Sequence, residues 1–191
     1  AYTLRLDADR PVVLQGDGGY SRKSQRGQAS YYYSQPFYRA SGHLGFDRGA
    51  SPIEVSGHAW LDREWSSQPL ASDQSGWDWF ALHFSSGEKL MLYRMRQSDG
   101  PYISGTFITA NGDARPLGSD GVMMTPKDVV EIDRHRLPVS WRIEIPALAL
   151  AIDSVPLNPK AWMGTSVPYW EGPISFSGSH HGVGYLELTG Y

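Results

Sequence analysis

Residues 76–96 read GWDWFALHFSSGEKLMLYRMR, two apolar runs joined by the turn pair Ser86-Gly87. A period of two residues, typical of a β-strand, divides the first run into two faces: Trp77, Trp79, Ala81 and His83 on one, and Asp78, Phe80, Leu82 and Phe84 on the other. A serine-glycine pair between such runs predicts a β-hairpin. Tyr93 on the second run then approaches Asp78 or Trp79, and the pattern leaves this register open.

Hairpin signals recur along the chain. Asp99-Gly100 and Asn111-Gly112 flank another alternating run, and 21 glycines and 13 prolines interrupt the sequence at short intervals. No segment shows a convincing helical period of 3.6 residues. We predict strands at 2–6, 11–15, 29–35, 39–45, 52–61, 77–84, 89–96, 102–109, 126–132, 139–145, 148–154, 169–177 and 183–189. The proline-rich segment 155–168 is predicted to be a structured loop over a barrel mouth.

Consecutive antiparallel strands leave exposed edges unless the sheet closes on itself. We therefore predict an all-β fold, a lipocalin-like antiparallel up-and-down β-barrel, with a β-sandwich as the alternative. Closure would create an interior lumen. The aromatic fraction of 13% is more than packing alone usually calls for, so we expect tryptophan and tyrosine rings to line that lumen.

Composition argues against several classes of function. The 17 basic and 20 acidic residues form no stripe that would hold a phosphate backbone, so no nucleic acid partner is expected. The chain has no cysteine and its six histidines lack metal-site spacing, so no metal or other cofactor is expected. No apolar run approaches the roughly 20 residues that span a bilayer, so no transmembrane segment is expected. The strand-like start at Ala1 indicates a processed or truncated product.

The densest chemistry lies in residues 56–65, SGHAWLDREW. If this stretch is extended, His58, Trp60 and Asp62 share one face, opposite Ala59, Leu61 and Arg63. A third aromatic and acidic cluster is Tyr169-Trp170-Glu171. Any one of these residues is as easily explained by packing or by pairing with an arginine, but acids and rings facing one lumen together favour a ligand site.

Several blocks, in order over nearly the whole chain, carry a family resemblance: Gly16–Lys23, Ala29–Pro36, 56–65, 76–96 and Gly182–Tyr191. The chain resembles the C-terminal part of the carotenoid 1,2-hydratase and predicted secreted hydrolase (AttH-like) family. The resemblance implies that residues 1–26 are the trailing end and connector of an upstream lipocalin-like domain, and that 27–191 form the C-terminal barrel. It also implies export to the periplasm or outside the cell.

The resemblance and the one-face spacing together suggest hydration of an alkene. Protonation of carbon needs an acid much stronger than water, and a carboxyl kept protonated by desolvation supplies it. Aromatic faces stabilise the resulting cation. Our candidates are Asp62 or Asp78 as the proton donor and His58 as the group that orients water or the acid. The substrate-binding candidates are Trp60, Trp65, Trp77, Trp79, Tyr93, Tyr169 and Trp170.

Two other functions fit the same residues. An aromatic lumen would also serve a non-catalytic carrier of a hydrophobic ligand. Alternatively, the aromatic clusters would pack this barrel onto the upstream domain. Hydrolysis by a serine nucleophile has no support, because no Gly-x-Ser-x-Gly motif is present.

Overall fold

The computed structural model describes residues 1–46, 51–68 and 70–191, and nearly all regular structure in them is β-strand. Two single-turn 3-10 helices, Ser119–Gly121 and Pro146–Leu148, are also present. No helix in this part of the chain is long or apolar enough to cross a membrane. The all-β prediction is confirmed, and the strands form two main sheets and one separate hairpin.

The first sheet is built around one long strand. Its members are β1 (Tyr2–Ala8), β2 (Val13–Leu14), β3 (Tyr20–Arg22), β4 (Ala29–Leu44) and β5 (Ile53–Trp65). The first three strands follow one another along one edge of β4, and β5 pairs with its other edge. The sheet is thus effectively three strands wide.

A bulge interrupts the pairing of β4 with β5. The register shifts between Gln35 and Tyr38, where Pro36 has no backbone N–H to give to the ladder. We predicted two strands, 29–35 and 39–45, on either side of this proline. The structure joins them into one strand, because a bulge accommodates the proline without ending the pairing.

The second sheet contains most of the remaining strands. They are β6 (Gln74–Phe84), β7 (Lys89–Gln97), β8 (Tyr102–Ile108), β9 (Ala114–Leu117), β10 (Met123–Pro126), β13 (Trp141–Ile145), β14 (Leu150–Pro156), β15 (Trp162–Met163), β16 (Tyr169–Gly178) and β17 (Gly182–Thr189). The hairpin of β11 (Val129–Ile132) and β12 (His135–Pro138) stands apart from this ladder. The sequence pattern missed the short strands β3, β9, β12 and β15, and the predicted strand 126–132 covers β11 but only the last residue of β10.

The second sheet curls into a lipocalin-like, up-and-down arrangement. Its strand order is β10-β13-β14-β16-β17-β6-β7-β8-β9, with β15 paired to β16. Because β17 pairs with β6, the last strand closes onto the first. In the described residues the ladder is open between β9 and β10, which the turn Ser119–Gly121 connects. All three predicted hairpin turns lie where the sequence places them.

The concave face of this sheet is filled by apolar side chains. Phe80, Leu82 and Phe84 of β6 lie here with Trp141 and Trp170, as the alternation of 76–84 predicts. The prediction that aromatic side chains line an open lumen inside the barrel is therefore wrong, because apolar side chains pack the barrel interior. Trp77, Trp79 and His83 point to the opposite, convex face, because successive side chains of a strand alternate.

The first sheet packs on that convex face. Tyr32 of β4 is buried against Met91, Tyr93 and Met95 of β7, with Trp79 at the margin of the cluster. The first sheet ends with Trp65 of β5 and the second begins with Gln74 of β6. The predicted boundary at 26 falls between β3 and β4, which pair with each other. A domain division at 26 stays a prediction.

Candidate functional site

A cavity of about 570 Å³ lies between the first sheet and the convex face of the second. Aromatic and apolar side chains form most of its wall: Tyr32, Trp65, Leu70, Trp77, Trp79, Tyr93 and Met95. Three carboxyl groups and one ammonium group reach the same space: Asp62, Glu64, Glu187 and Lys23. An apolar pocket with a few converging polar groups is the usual form of a small-molecule site.

Hydrogen bonds hold the aromatic wall in place. Trp79 Nε1 donates to the Tyr32 hydroxyl at 3.1 Å, which links the two sheets across the cavity. Tyr93 pairs with Trp79 in the β6–β7 ladder, so the register left open by the sequence is settled in favour of Trp79. The Tyr93 hydroxyl in turn donates to the backbone oxygen of Arg22. The rings are therefore fixed before any ligand enters.

Asp62 is the most distinctive carboxyl of the cavity. Its Oδ1 accepts hydrogen bonds from the Ser34 hydroxyl and, at 2.8 Å, from Trp60 Nε1. Burial raises the pKa of Asp62 above its ordinary value, although the bonds from Ser34 and Trp60 act in the opposite direction. A desolvated carboxyl whose bonded donors are neutral favours the protonated form, and a protonated carboxyl is a general acid.

Glu64, two residues further along β5, has a different environment. It forms an ion pair of 2.6 Å with Lys23 and accepts a hydrogen bond from Ser30. Lys23 Nζ also lies 4.1 Å from the centroid of the Tyr93 ring. Burial lowers the pKa of Lys23, and the Glu64 carboxylate opposes that shift. One strand thus presents a carboxyl bonded by neutral donors and a carboxylate with a counter-ion.

Glu187 of β17 enters from the other sheet. Its Oε1 accepts a hydrogen bond of 2.6 Å from Trp77 Nε1. Burial raises the pKa of Glu187, and the bond from Trp77 partly offsets this. Glu187 and Asp62 therefore face one another across the interface between the sheets as two perturbed carboxyls that line the same space.

A second cavity, about 690 Å³, adjoins the first. His58, Trp60 and His83 line it, and Asp62, Trp79 and Glu187 line both cavities. The rings of His58 and His83 stack with centroids 6.1 Å apart, and Trp60 meets His83 edge-on at 5.5 Å. The predicted face of His58, Trp60 and Asp62 is thus present and points into these cavities.

The structure brings together only some of the predicted site residues. Trp65, Trp77, Trp79 and Tyr93 line the first cavity, while His58, Trp60 and Asp62 line the second, the last of these being shared. Tyr169 packs edge-on against Trp77 at 6.4 Å, behind the wall.

Asp78 and Trp170 lie elsewhere, on the concave side of the barrel. Asp78 has no exposed surface and binds Arg94 at 2.8 Å, Arg96, and the Tyr191 hydroxyl at 2.6 Å. Trp170 is in the apolar core, with its Nε1 bonded to the Pro159 oxygen. Both residues face inward because an even number of strand positions separates them from core residues such as Phe80 and Phe176.

Among the cavity residues that were not predicted from the sequence, four have side chains central to the site: Lys23, Tyr32, Glu64 and Glu187. Glu64 and Glu187 carry a usable signal, since each continues the period of two from Asp62 or from a neighbouring strand residue. Lys23 and Tyr32 reach the cavity through pairings across the sheets, which no local pattern reveals. Among the described residues, no group of three or more metal-ligating side chains comes together.

The AttH-like family matches residues 1–191, the entire chain. The chain belongs to the AttH-like family. The resemblance recognised in the sequence is therefore confirmed. Among curated proteins, none matches this AttH-like chain.

Two solved structures share the fold of this AttH-like chain. A protein of Nitrosomonas europaea, provisionally named AttH, covers 98% of the chain at 34% identity and a TM-score of 0.87. Kievitone hydratase from Nectria haematococca covers 98% at 22% identity and a TM-score of 0.81, a likeness that concerns the fold alone. The AttH-like chain spans 60% of the length of each of these proteins.

Proposed function

We propose that the cavity between the sheets binds an apolar, isoprenoid or lipid-like molecule, and that Asp62 protonates an alkene of this ligand so that water adds to it. This activity would make the protein a hydratase-type lyase. The observation that carries the proposal is the position of Asp62, a buried carboxyl bonded by neutral donors in a cavity walled by indole and phenol rings. The fold shared with kievitone hydratase is compatible with it.

The reaction balances with the groups present. The Asp62 proton forms a C–H bond with one alkene carbon, and the π electrons of the alkene supply that bond. The other carbon becomes a cation, and a water oxygen gives an electron pair to it. The protonated alcohol then loses a proton to Glu187, and exchange with solvent returns Asp62 and Glu187 to their starting states.

The walls of the cavity suit the cationic intermediate. The faces of Trp79, Trp77 and Tyr32 present negative electrostatic potential, and each ring contributes about 0.5–2 kcal/mol to the stability of a desolvated cation. The Lys23 ammonium lies 5.0 Å from the centroid of the Tyr32 ring, and its ion pair with the Glu64 carboxylate offsets its charge. His58 lines the second cavity together with Asp62, and its proposed role is to orient the water or the acid.

A further lipocalin-like domain of the same protein is part of this proposal. The outward face of the first sheet exposes large apolar side chains, including Tyr2, Leu4 and Ile53. A monomer rarely leaves such a contiguous patch uncovered. The proposed occupant is an upstream domain, since the solved relatives are longer than this chain. Export to the periplasm or outside the cell rests on the family resemblance.

Exchange of Asp62 for asparagine, which keeps the shape of the side chain, tests the proposal. The probes are geranylgeraniol, squalene and lycopene, incubated with the full-length protein, and products are identified by mass spectrometry as alcohols heavier by one water. We expect hydration of at least one probe, and a loss of at least about a hundredfold in Asp62→Asn with ligand affinity retained. Asp120→Asn, the same chemical change at an exposed residue that lines neither cavity, is the control.

The outcomes separate the candidate functions. Binding without hydration in the wild-type protein would contradict catalysis and support the carrier. Failure of all three probes to bind would contradict both, and would leave the packing role. Equal turnover by wild type and Asp62→Asn would remove Asp62 from the mechanism.

A further inference from the structure

The two cavities adjoin one another and differ in their linings. Asp62, Trp79 and Glu187 line both, so a ligand seated in the first cavity meets the second at these three side chains. The first cavity has seven large apolar or aromatic wall residues beside polar ones such as Ser30, Gln68 and Gln74. The second has fewer large apolar residues, and its lining includes six hydrogen-bonding side chains: His58, Asp62, His83, Glu171, Tyr185 and Glu187. A single molecule that occupies both would need two chemically different parts.

The hydrogen-bonding groups of the second cavity are mainly acceptors. Glu171 and Glu187 are carboxyl groups, and His83 Nδ1 is buried without a hydrogen-bond partner among the described residues. Burial lowers the pKa of His83 to about 4, so its imidazole is neutral at physiological pH and one of its two ring nitrogens is an acceptor. Groups of this kind call for a ligand that brings its own O–H donors.

The second cavity also lacks a positive charge. No lysine or arginine is among its lining residues in the part of the chain that the structure describes. Lys89, which pairs with His83 in the ladder, directs Nζ to the backbone oxygens of Gly87 and Glu88. Arg39, opposite His58, lies 3.7 Å from Asp9.

Binding of an anionic group in the first cavity is also unfavourable. Its one lysine, Lys23, already pairs with Glu64 at 2.6 Å. A carboxylate or phosphate that enters either cavity would be desolvated next to carboxyl groups without a free counter-ion, which is strongly unfavourable. A neutral hydroxyl would lose its water and regain hydrogen bonds to Glu171 or His83, which is close to neutral in free energy.

We propose that the second cavity binds the hydroxyl-bearing end of an amphipathic ligand whose apolar part fills the first cavity, and that this end selects alcohols against carboxylates and phosphates. The proposal rests on the proposed function for the occupant of the first cavity. It narrows the substrate class to neutral, hydroxylated isoprenoid or lipid-like molecules. Terpenoid alcohols meet this description, and fatty acids and prenyl diphosphates do not.

A matched ligand pair tests the selection. Retinol and retinoic acid share one apolar skeleton and differ in the head group, and both quench tryptophan fluorescence when bound close to indoles such as Trp79. Dissociation constants are measured by this quenching with the full-length protein at pH 7.5. We expect retinol to bind at least tenfold more tightly than retinoate.

Two variants assign the selection to the second cavity. Glu171→Gln removes a negative charge, and we expect retinoate to bind at least about threefold more tightly while retinol changes little. His83→Phe keeps a ring and removes the free acceptor, and we expect retinol to bind about fivefold more weakly while retinoate is unchanged. Glu131→Gln, on the exposed surface of β11, is the matched control and leaves both constants as they are. Circular dichroism verifies that each variant is folded.

Each result decides the question. Equal affinities, tighter binding of retinoate, or an unaltered ratio in both variants would overturn the hydroxyl-selective subsite and leave the apolar cavity standing. Binding of neither probe would contradict the proposed function itself, and this inference with it.

Discussion

Trp60 Nε1 donates a hydrogen bond of 2.8 Å to Oδ1 of Asp62, two residues further along β5. The bond exists because a strand places alternate side chains on one face, where an indole reaches its second neighbour. It fixes the carboxyl at the junction of the two cavities. It also lowers the pKa of Asp62 against the larger effect of burial.

Removal of this bond is expected to raise the pKa of Asp62 further. Trp60→Phe keeps an aromatic ring and loses the N–H donor, so the ionised carboxylate loses a stabilising partner. The protonated acid then persists to higher pH. The measurement is a pH titration of the Asp62 side-chain carboxyl by ¹³C NMR, with Trp162→Phe as a control far from the cavity. A titration midpoint that falls, or that does not move, would contradict the assignment.

Asp78 is expected to determine stability rather than ligand binding. Asp78→Asn leaves Arg94 and Arg96 without their shared counter-ion in the barrel interior, at a cost of about 3–5 kcal/mol in the free energy of unfolding. Asp153→Asn, at an exposed pair with Arg142 and Lys127, is the control and changes little. Urea denaturation measures both. Loss of ligand affinity by the folded Asp78→Asn protein would place Asp78 at the site after all.

Alanine substitutions of Trp170 and Trp65 are expected to affect different properties, the first stability and the second ligand binding. Trp170 is fully buried in the core, so Trp170→Ala costs about 3–5 kcal/mol of unfolding free energy, and Trp170→Phe provides a milder change if the alanine variant does not fold. Trp65 is 50% exposed and lines the first cavity, so Trp65→Ala weakens retinol binding with little effect on stability. Denaturation and fluorescence titration give the two readouts. The assignment fails if Trp65→Ala binds retinol as the wild type does.

We expect the buried imidazole of His83 to make the free energy of unfolding fall at acid pH. Its pKa is lowered from 6.5 to about 4 by burial and by the charges of Lys89 and His58. The unfolded chain therefore takes up a proton at a higher pH than the folded one, so folding loses stability as the pH falls from 6.5 towards 4. His83→Phe should reduce this loss. Urea midpoints at pH 7 and pH 4.5 measure it, and an identical loss in the variant would refute the effect.

Local patterns predicted most of the fold. The alternation in 76–84 and 58–62 correctly divided the side chains into two sets that lie on opposite faces, because successive residues of a strand alternate. The turn pairs Ser86-Gly87 and Asn111-Gly112 predicted the hairpins, since glycine adopts positive φ there. The proline Pro36 led to the wrong prediction of two strands in place of β4. A proline ends a strand in most contexts, whereas the bulge that accommodates Pro36 depends on the pairing with the neighbouring strand.

The site was predicted less completely. Alternation separates two faces without telling which one faces the barrel interior, so the tryptophan face of β6 was assigned to a lumen that is in fact filled. Asp62 and Asp78 looked equivalent in sequence. Their difference lies in partners from distant segments, Ser34 for one and Arg94 and Arg96 for the other.

The pairing of β17 with β6 also governs when the site can exist. Glu187 accepts its hydrogen bond from Trp77, 110 residues earlier in the chain. During translation, the edge of β6 that pairs with β17 stays unpaired until β17 has been synthesised. Contacts between residues so far apart in the sequence form slowly. Glu187 therefore joins the β5 carboxyls Asp62 and Glu64 at the cavity only after this long-range pairing of β17 with β6 has formed.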